Sequence, residues 1–126
     1  MVVLDTNIVI DHLRLQDGVE SKLMALVKTK PKEVLAISMI TIQELYEGRS
    51  TRDAQKEQYL LATVSPLKIL PYNYEVAKLA GEIARDIERP IELADAAIAA
   101  TAILNGAELF TFNVKDFASI DNLRLS

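Results

Sequence analysis

The chain opens on Val2-Val3-Leu4, an apolar, β-branched run that reads as a strand buried on both faces. The run stops at Asp5, and Asp5-Thr6-Asn7 leads into Ile8-Val9-Ile10-Asp11-His12-Leu13, which continues as a helix. A strand that turns directly into a helix puts Asp5 at the carboxyl end of the first strand, where open α/β sheets gather their ligands. A carboxylate there costs folding free energy unless it is hydrogen-bonded, paired or bound to a cation. Two readings are open: a helix cap formed by Asp5 or Thr6, or one member of a charged site. The rest of the chain decides between them.

After a turn at Gln16-Asp17-Gly18, Val19 to Thr29 reads as a helix with Leu23, Leu26 and Val27 on one face. Val34-Leu35-Ala36-Ile37 is a second buried strand, ended by Ser38, and a helix follows from Met39 to Glu47 with Gly48 as its stop. Thr51 to Val64 is a polar-sided helix whose apolar positions include Tyr59, Leu60 and Leu61, and Leu67 to Leu70 is a third strand. Asn73 is placed to cap a long helix from Tyr74 to Glu88, with Val76, Leu79, Ile83 and Ile87 on its buried face. Pro90 separates it from Leu93 to Leu104, which Asn105-Gly106 ends. Leu109-Phe110-Thr111 is a fourth strand, Asn113 to Phe117 a turn or single helical turn, and Leu123-Arg124-Leu125 a last edge strand. Strands alternating with helices predict an α/β fold, with a central, mainly parallel sheet of four or five strands flanked by helices.

The 126 residues form one domain, 1–126, long enough for a sizeable core. With no cysteine there is neither a disulfide framework nor a thiolate metal site, which is compatible with a reducing cytoplasm. Nothing resembles a signal peptide or a membrane span. The net charge of −4 argues against a protein that coats nucleic acid non-specifically, but not against an enzyme with an acidic centre and a local basic rim. Arg14, Arg49, Arg52, Lys56 and Arg85 are candidates for that rim, or are solvated charges.

Glu44 lies just beyond the second strand, where Thr41-x-x-Glu44 also fits a capping box. Asp95 stands out in Leu93–Leu104, whose only other polar side chain is Thr101 and where alanine fills six positions. So small-sided a helix packs closely, and the macrodipole contribution of roughly 0.3–1 kcal/mol would not alone favour a carboxylate in that setting. After the fourth strand, Asn113 or Asp116 could approach the same sheet end, though Asp116 beside Lys115 is equally an exposed charge. Carboxylates gathered at one sheet end raise one another's pKa. A hard cation such as Mg²⁺ or Mn²⁺ removes the conflict and supports phosphodiester hydrolysis. His12 is the only histidine, so zinc and Ser-His chemistry are poorly supported.

LDTNIVID, ITIQELYEG, IELADAAIAATA and TFNVKDF occur in the order seen in PIN-domain ribonucleases, and the chain most resembles their VapC-type toxins. The similarity runs from Val2 to about Phe117. It implies a metal-dependent endoribonuclease in which Asp5, Glu44 and Asp95 hold Mg²⁺ or Mn²⁺, with Thr6 and Asn7 supporting the first carboxylate and Thr111, Asn113 and Asp116 near the site. The family often has a fourth acid after the fourth strand, where this chain has Asn113. The resemblance also implies an RNA substrate, a homodimer and a small antitoxin that covers the site. The rival reading is an inactive PIN-like module that binds RNA or protein. An aspartyl-nucleophile phosphatase is set aside because Asn7 stands where its second Asp is needed. A receiver domain is set aside because Leu67 to Tyr74 contains no Asp.

Overall fold

The computed structural model describes residues 1–16 and 18–126, so Asp17 of the expected Gln16-Asp17-Gly18 turn lies outside the described residues. Strands β1 (Val2–Leu4), β2 (Leu35–Ser38), β3 (Lys68–Leu70), β4 (Glu108–Phe110) and β5 (Arg124–Leu125) form one sheet in the order β3-β2-β1-β4-β5. Every neighbouring pair is parallel. The helices are α1 (Thr6–Arg14), α2 (Lys22–Thr29), α3 (Met39–Glu47), α4 (Ala54–Val64), α5 (Tyr74–Asp86), α6 (Leu93–Leu104) and α7 (Val114–Phe117), with a 3-10 turn over Arg49–Arg52.

The two-residue period of the strands divides the core. Val2, Leu4 and Ile37 point to one face and pack with Ile8, Val9, Leu23, Leu26, Leu45 and Leu60 of α1 to α4. Val3, Ala36 and Leu109 point to the other, against Ile98, Ala99 and Ala102 of α6 and Phe117 of α7. Residues 96–102 of α6 are 0–2 % exposed, so its alanines let a helix backbone lie against the sheet while α5 covers its outer side. Among the described residues no helix is long and apolar enough to cross a membrane.

Several boundaries differ from expectation for local reasons. α2 starts at Lys22 because Ser21 Oγ accepts from the Met24 amide, and Val27 is exposed while Leu23 and Leu26 are buried. α4 starts at Ala54 because Asp53 caps it, accepting from the amides of Gln55 and Lys56, and Thr51 falls in the 3-10 turn. Of Tyr59, Leu60 and Leu61 only Leu60 is buried, joined by Val64 at the end of the helix. Asn73 caps α5 as expected, but the helix ends at Asp86, leaving Ile87 beyond it. Gly106, at φ +62°, takes the left-handed conformation that closes α6. Gly48 follows α3 with an ordinary φ of −71°, so its role there is not conformational freedom.

The chain runs outward from β1 through β2 to β3 and then crosses to β4 on the far side of β1. The order therefore reverses between β1 and β4, and the crevice beyond their carboxyl ends is the topological switch point of the sheet.

Candidate active site

Asp5 sits at that switch point, 3 % exposed. Its amide continues the ladder by donating to Phe110 O at 2.9 Å, which fixes the carboxylate beside the end of β4. Oδ1 accepts from the Thr6 amide at 2.8 Å, and Oδ2 accepts from the Thr111 hydroxyl at 2.6 Å. Thr111 Oγ1 in turn accepts from the Asn113 amide at 2.9 Å, which orients its proton toward Asp5. The cap and site readings thus coincide: Asp5 is the N-cap of α1 with one oxygen, and faces a second strand end with the other.

Glu44 reaches the same place from α3, but not through a capping box. β2 extends to Ser38, whose hydroxyl accepts from the Ile40 amide and caps α3, so Thr41 lies inside the helix. The Thr41 hydroxyl, on a fully buried residue, meets the Thr6 hydroxyl at 2.9 Å, and Thr6 Oγ1 donates to Glu44 Oε1 at 2.6 Å. Because Thr6 has one hydroxyl proton and gives it to Glu44, Thr41 must donate to Thr6. Three side chains from α1 and α3 form one directed chain ending on a carboxylate.

Asp95 lies in the first turn of α6, partly buried. The N-cap there is Glu92 and makes no side-chain cap bond, and among the described residues the Asp95 carboxylate accepts no hydrogen bond. Asp95 is raised from 3.8 to about 6, first by burial and then by the charges of Asp5, Glu92, Glu44 and Asp116. Burial also raises Glu44, opposed by the Thr6 hydrogen bond and reinforced by Asp5, Glu47 and Glu92. Asp5 rises for the same first cause, opposed by its bonds from Thr111 and Thr6 and pushed further by Asp116. The three acids named from sequence therefore feel one another. Glu92 joins them unforeseen; its only signal was its place three residues before Asp95.

The supporting residues divide. Thr6 and Thr111 bond the acids directly, as described. Asn7 Oδ1 is buried without a hydrogen-bond partner among the described residues. Asn113 is exposed and makes no side-chain cap bond at α7. Asp116 is tied to Arg89 by an ion pair on the surface, so its charge reaches the site while its carboxylate is engaged elsewhere. Among the rim candidates, Arg14, Arg49 and Lys56 line a cavity of about 490 Å³ that also contains Glu44. Arg85 is bonded to its neighbour Asp86, and Arg52 lies outside that cavity's lining.

As a donor set, Asp5, Glu44 and Asp95 offer only hard oxygens, and among the described residues no Lys, Arg or His forms an ion pair with them. That chemistry, with the unpartnered Asn7 oxygen in the same turn as Thr6, fits a hard divalent cation. As the side chains stand, however, no three His, Cys, Asp or Glu among the described residues are gathered closely enough to hold a metal ion.

A family model for the PIN domain matches residues 2–123. The chain belongs to the PIN-domain family. It is 32 % identical over 127 residues to ribonuclease VapC10 of Mycobacterium tuberculosis, a match covering 98 % of this chain and 91 % of that protein. Its fold is similar to that of VapBC2 from Rickettsia felis bound to a DNA fragment from its promoter. There the TM-score is 0.84 at 28 % identity, over 99 % of this chain and 96 % of the other. It is also similar to a toxin–antitoxin complex from Klebsiella pneumoniae, with a TM-score of 0.77 at 28 % identity over 98 % and 95 % of the two chains. The family and its VapC-type branch are those to which the four sequence motifs point. Within the PIN fold, Asp5 and Thr111 lie just beyond the carboxyl ends of β1 and β4, the strands that flank the switch point.

Proposed function

We propose that this PIN-domain protein is a Mg²⁺- or Mn²⁺-dependent endoribonuclease and the toxin of a type II toxin–antitoxin pair. The observation that carries the reading is the Thr6 link at the switch point, its amide on Asp5 and its hydroxyl on Glu44, with Asp95 near enough to be raised by both charges and no cationic partner for the three among the described residues. Structural repulsion of this kind is retained at sites where charge has work to do. The names of its relatives, ribonucleases and toxin–antitoxin complexes, agree with it.

In this reading Asp5, Glu44 and Asp95 would hold the cation, which would supply Lewis-acid stabilisation of the phosphodiester oxygens and lower the pKa of water at the site. The protein's own groups do the positioning. Thr6 holds Glu44 by its Oε1, leaving Oε2 without a hydrogen bond among the described residues. Thr111 and the Thr6 amide hold both Asp5 oxygens in fixed directions. Asp95, with no hydrogen bond of its own, is the carboxylate freest to turn and to take up a proton as the pH falls toward 6. Hydrolysis would leave 5′-phosphate and 3′-hydroxyl ends.

A small antitoxin would neutralise the enzyme by shielding the acidic pocket, through an Arg or Lys that replaces the cation. We further propose a homodimer acting in the cytoplasm. One observation favours a second reading, an inactive PIN-like binding module: the position of the fourth acid is Asn113, and Asp116 is engaged by Arg89.

The test is cleavage of single-stranded RNA by the purified chain with Mg²⁺, with EDTA, and by Asp5→Asn protein. Cleavage only by wild type with the metal is expected. RNA binding without cleavage in any condition selects the inactive module.

A further inference from the structure

The cavity beside Glu44 has a charge pattern that the acidic site does not explain. It is open between the C-terminal part of α1, α3, the 3-10 turn and α4, and its cationic lining is Arg14, Arg49 and Lys56. Four basic side chains elsewhere are paired with carboxylates: Lys28 with Glu20, Lys30 with Glu108, Arg85 with Asp86 and Arg89 with Asp116. None of Arg14, Arg49 and Lys56 pairs with a carboxylate among the described residues, and all three are exposed. In a chain of net charge −4, three unpaired cations around one concave wall make a local field that attracts an anion.

The floor has a different character. Ile10, Leu13, Leu45 and Leu60 line it, and Tyr59 stands at one side, 47 % exposed. The Tyr59 hydroxyl lies 3.1 Å from His12 Nε2, and His12 Nδ1 lies 2.7 Å from Oγ of the buried Ser21. An exposed aromatic ring tied at its tip to a buried anchor is held in place before anything binds. Cations for phosphates, and a fixed aromatic ring over an apolar floor for an unstacked base, are the two halves of single-strand recognition.

We propose that this groove is the subsite for the single-stranded RNA segment flanking the scissile phosphodiester. Arg14, Arg49 and Lys56 hold backbone phosphates, and Tyr59 packs against a nucleobase. Glu44, common to the groove and the acidic site, sets the register between strand and reacting phosphate. The proposal rests on the endoribonuclease reading, but its test does not need catalysis.

Binding of a labelled single-stranded RNA is followed by fluorescence anisotropy in EDTA, as a function of salt, for wild type and for Arg14→Gln, Arg49→Gln, Lys56→Gln and Tyr59→Leu. Each glutamine variant should weaken binding and flatten the plot of log affinity against log salt by about 0.7 per charge removed. Tyr59→Leu should weaken binding without changing that slope. Arg85→Gln, which removes a cation already paired on α5, should match wild type. In steady-state cleavage with Mg²⁺ the groove variants should raise KM and leave kcat unchanged. Wild-type affinity and slope in all three glutamine variants would overturn the subsite, as would no detectable RNA binding by wild type. Groove-dependent binding with no cleavage would keep the subsite and reject the nuclease. Cleavage indifferent to all three cations would reject the subsite and keep the nuclease. Equal binding of a protein partner by wild type and the triple variant, with RNA binding lost, would exclude the groove as a mainly protein-docking surface.

Discussion

The hydroxyl of Thr6 and the carboxylate of Glu44 meet at 2.6 Å across 38 residues of chain. This bond joins α1 to α3 at the switch point and leaves Glu44 one committed oxygen and one free. Its proton is aimed by Thr41, which has no other hydrogen-bond partner among the described residues for its buried hydroxyl.

Removing the donor should therefore misorient a site acid without emptying the core. A hydrogen bond to a charged group is worth about 1.5–3 kcal/mol, so Thr6→Val is expected to lower cleavage about ten- to hundredfold. Thr6→Ser, which keeps the hydroxyl, should restore most of it. Thr41→Val acts one bond further away and should cost less, on the order of 1 kcal/mol. Cleavage rates across a Mn²⁺ titration check both. A rate loss in Thr6→Val that excess metal rescues is the signature of a mispositioned ligand.

Much of this arrangement is legible in the sequence, and the exceptions have physical causes. Val2-Val3-Leu4 followed by Asp5 could be read because a short apolar run ending in a carboxylate has few placements in an α/β sheet. The packing of Leu93–Leu104 could be read because its six alanines leave a helix no large face of its own. Glu44 misled as a capping residue because Ser38, not Thr41, takes the cap once β2 runs one residue further. Asp116 could not be placed, since its partner Arg89 lies 27 residues away and only the fold brings them together. The same holds for the groove cations: sequence names Arg14, Arg49 and Lys56 among five candidates, and tertiary structure selects them.

Asp5→Asn should abolish cleavage and keep the fold. The amide oxygen can still accept from the Thr6 amide, and the Thr111 hydroxyl can turn to accept from the new N–H. The charge is what disappears. Unchanged far-ultraviolet circular dichroism with no RNA product is the expected pair of results. Activity surviving in rigorously purified Asp5→Asn protein would remove Asp5 from the chemistry. Glu44→Gln and Asp95→Asn should behave alike.

Asn113 offers a gain-of-function test. Its side chain is exposed two residues after Thr111, beyond the end of β4, and Asp116 is held by Arg89. Asn113→Asp replaces a neutral amide by a carboxylate where the sequence resemblance implies a fourth acid, and should tighten Mn²⁺ binding severalfold in calorimetry. No change in affinity or rate would show that position 113 does not reach the cation.

The acidic site should also make the metal-free protein more stable below neutral pH. Asp95 is moved from 3.8 to about 6, so the folded state binds its proton more tightly than the unfolded chain does. That contribution is fully present below pH 3.8 and is lost as pH rises through about 6. The shift corresponds to at most about 3 kcal/mol, which partial exposure to solvent reduces to about 1–2 kcal/mol. Asp5 and Glu44, also raised, act in the same direction. The melting temperature in EDTA should thus be higher at pH 5 than at pH 7.5, and Asp95→Asn should raise it at pH 7.5 and flatten the difference. Mg²⁺ should reverse the trend. It stabilises the folded state by mass action, and protons compete for the same oxygens, so its increment should be larger at pH 7.5 than at pH 5 and smaller in Asp95→Asn. Thermal melts at two pH values, with and without Mg²⁺ at fixed ionic strength, decide the matter. If Asp95→Asn lowers the metal-free melting temperature and leaves the Mg²⁺ increment intact, Asp95 is a structural residue of α6 and the site has lost its third acid.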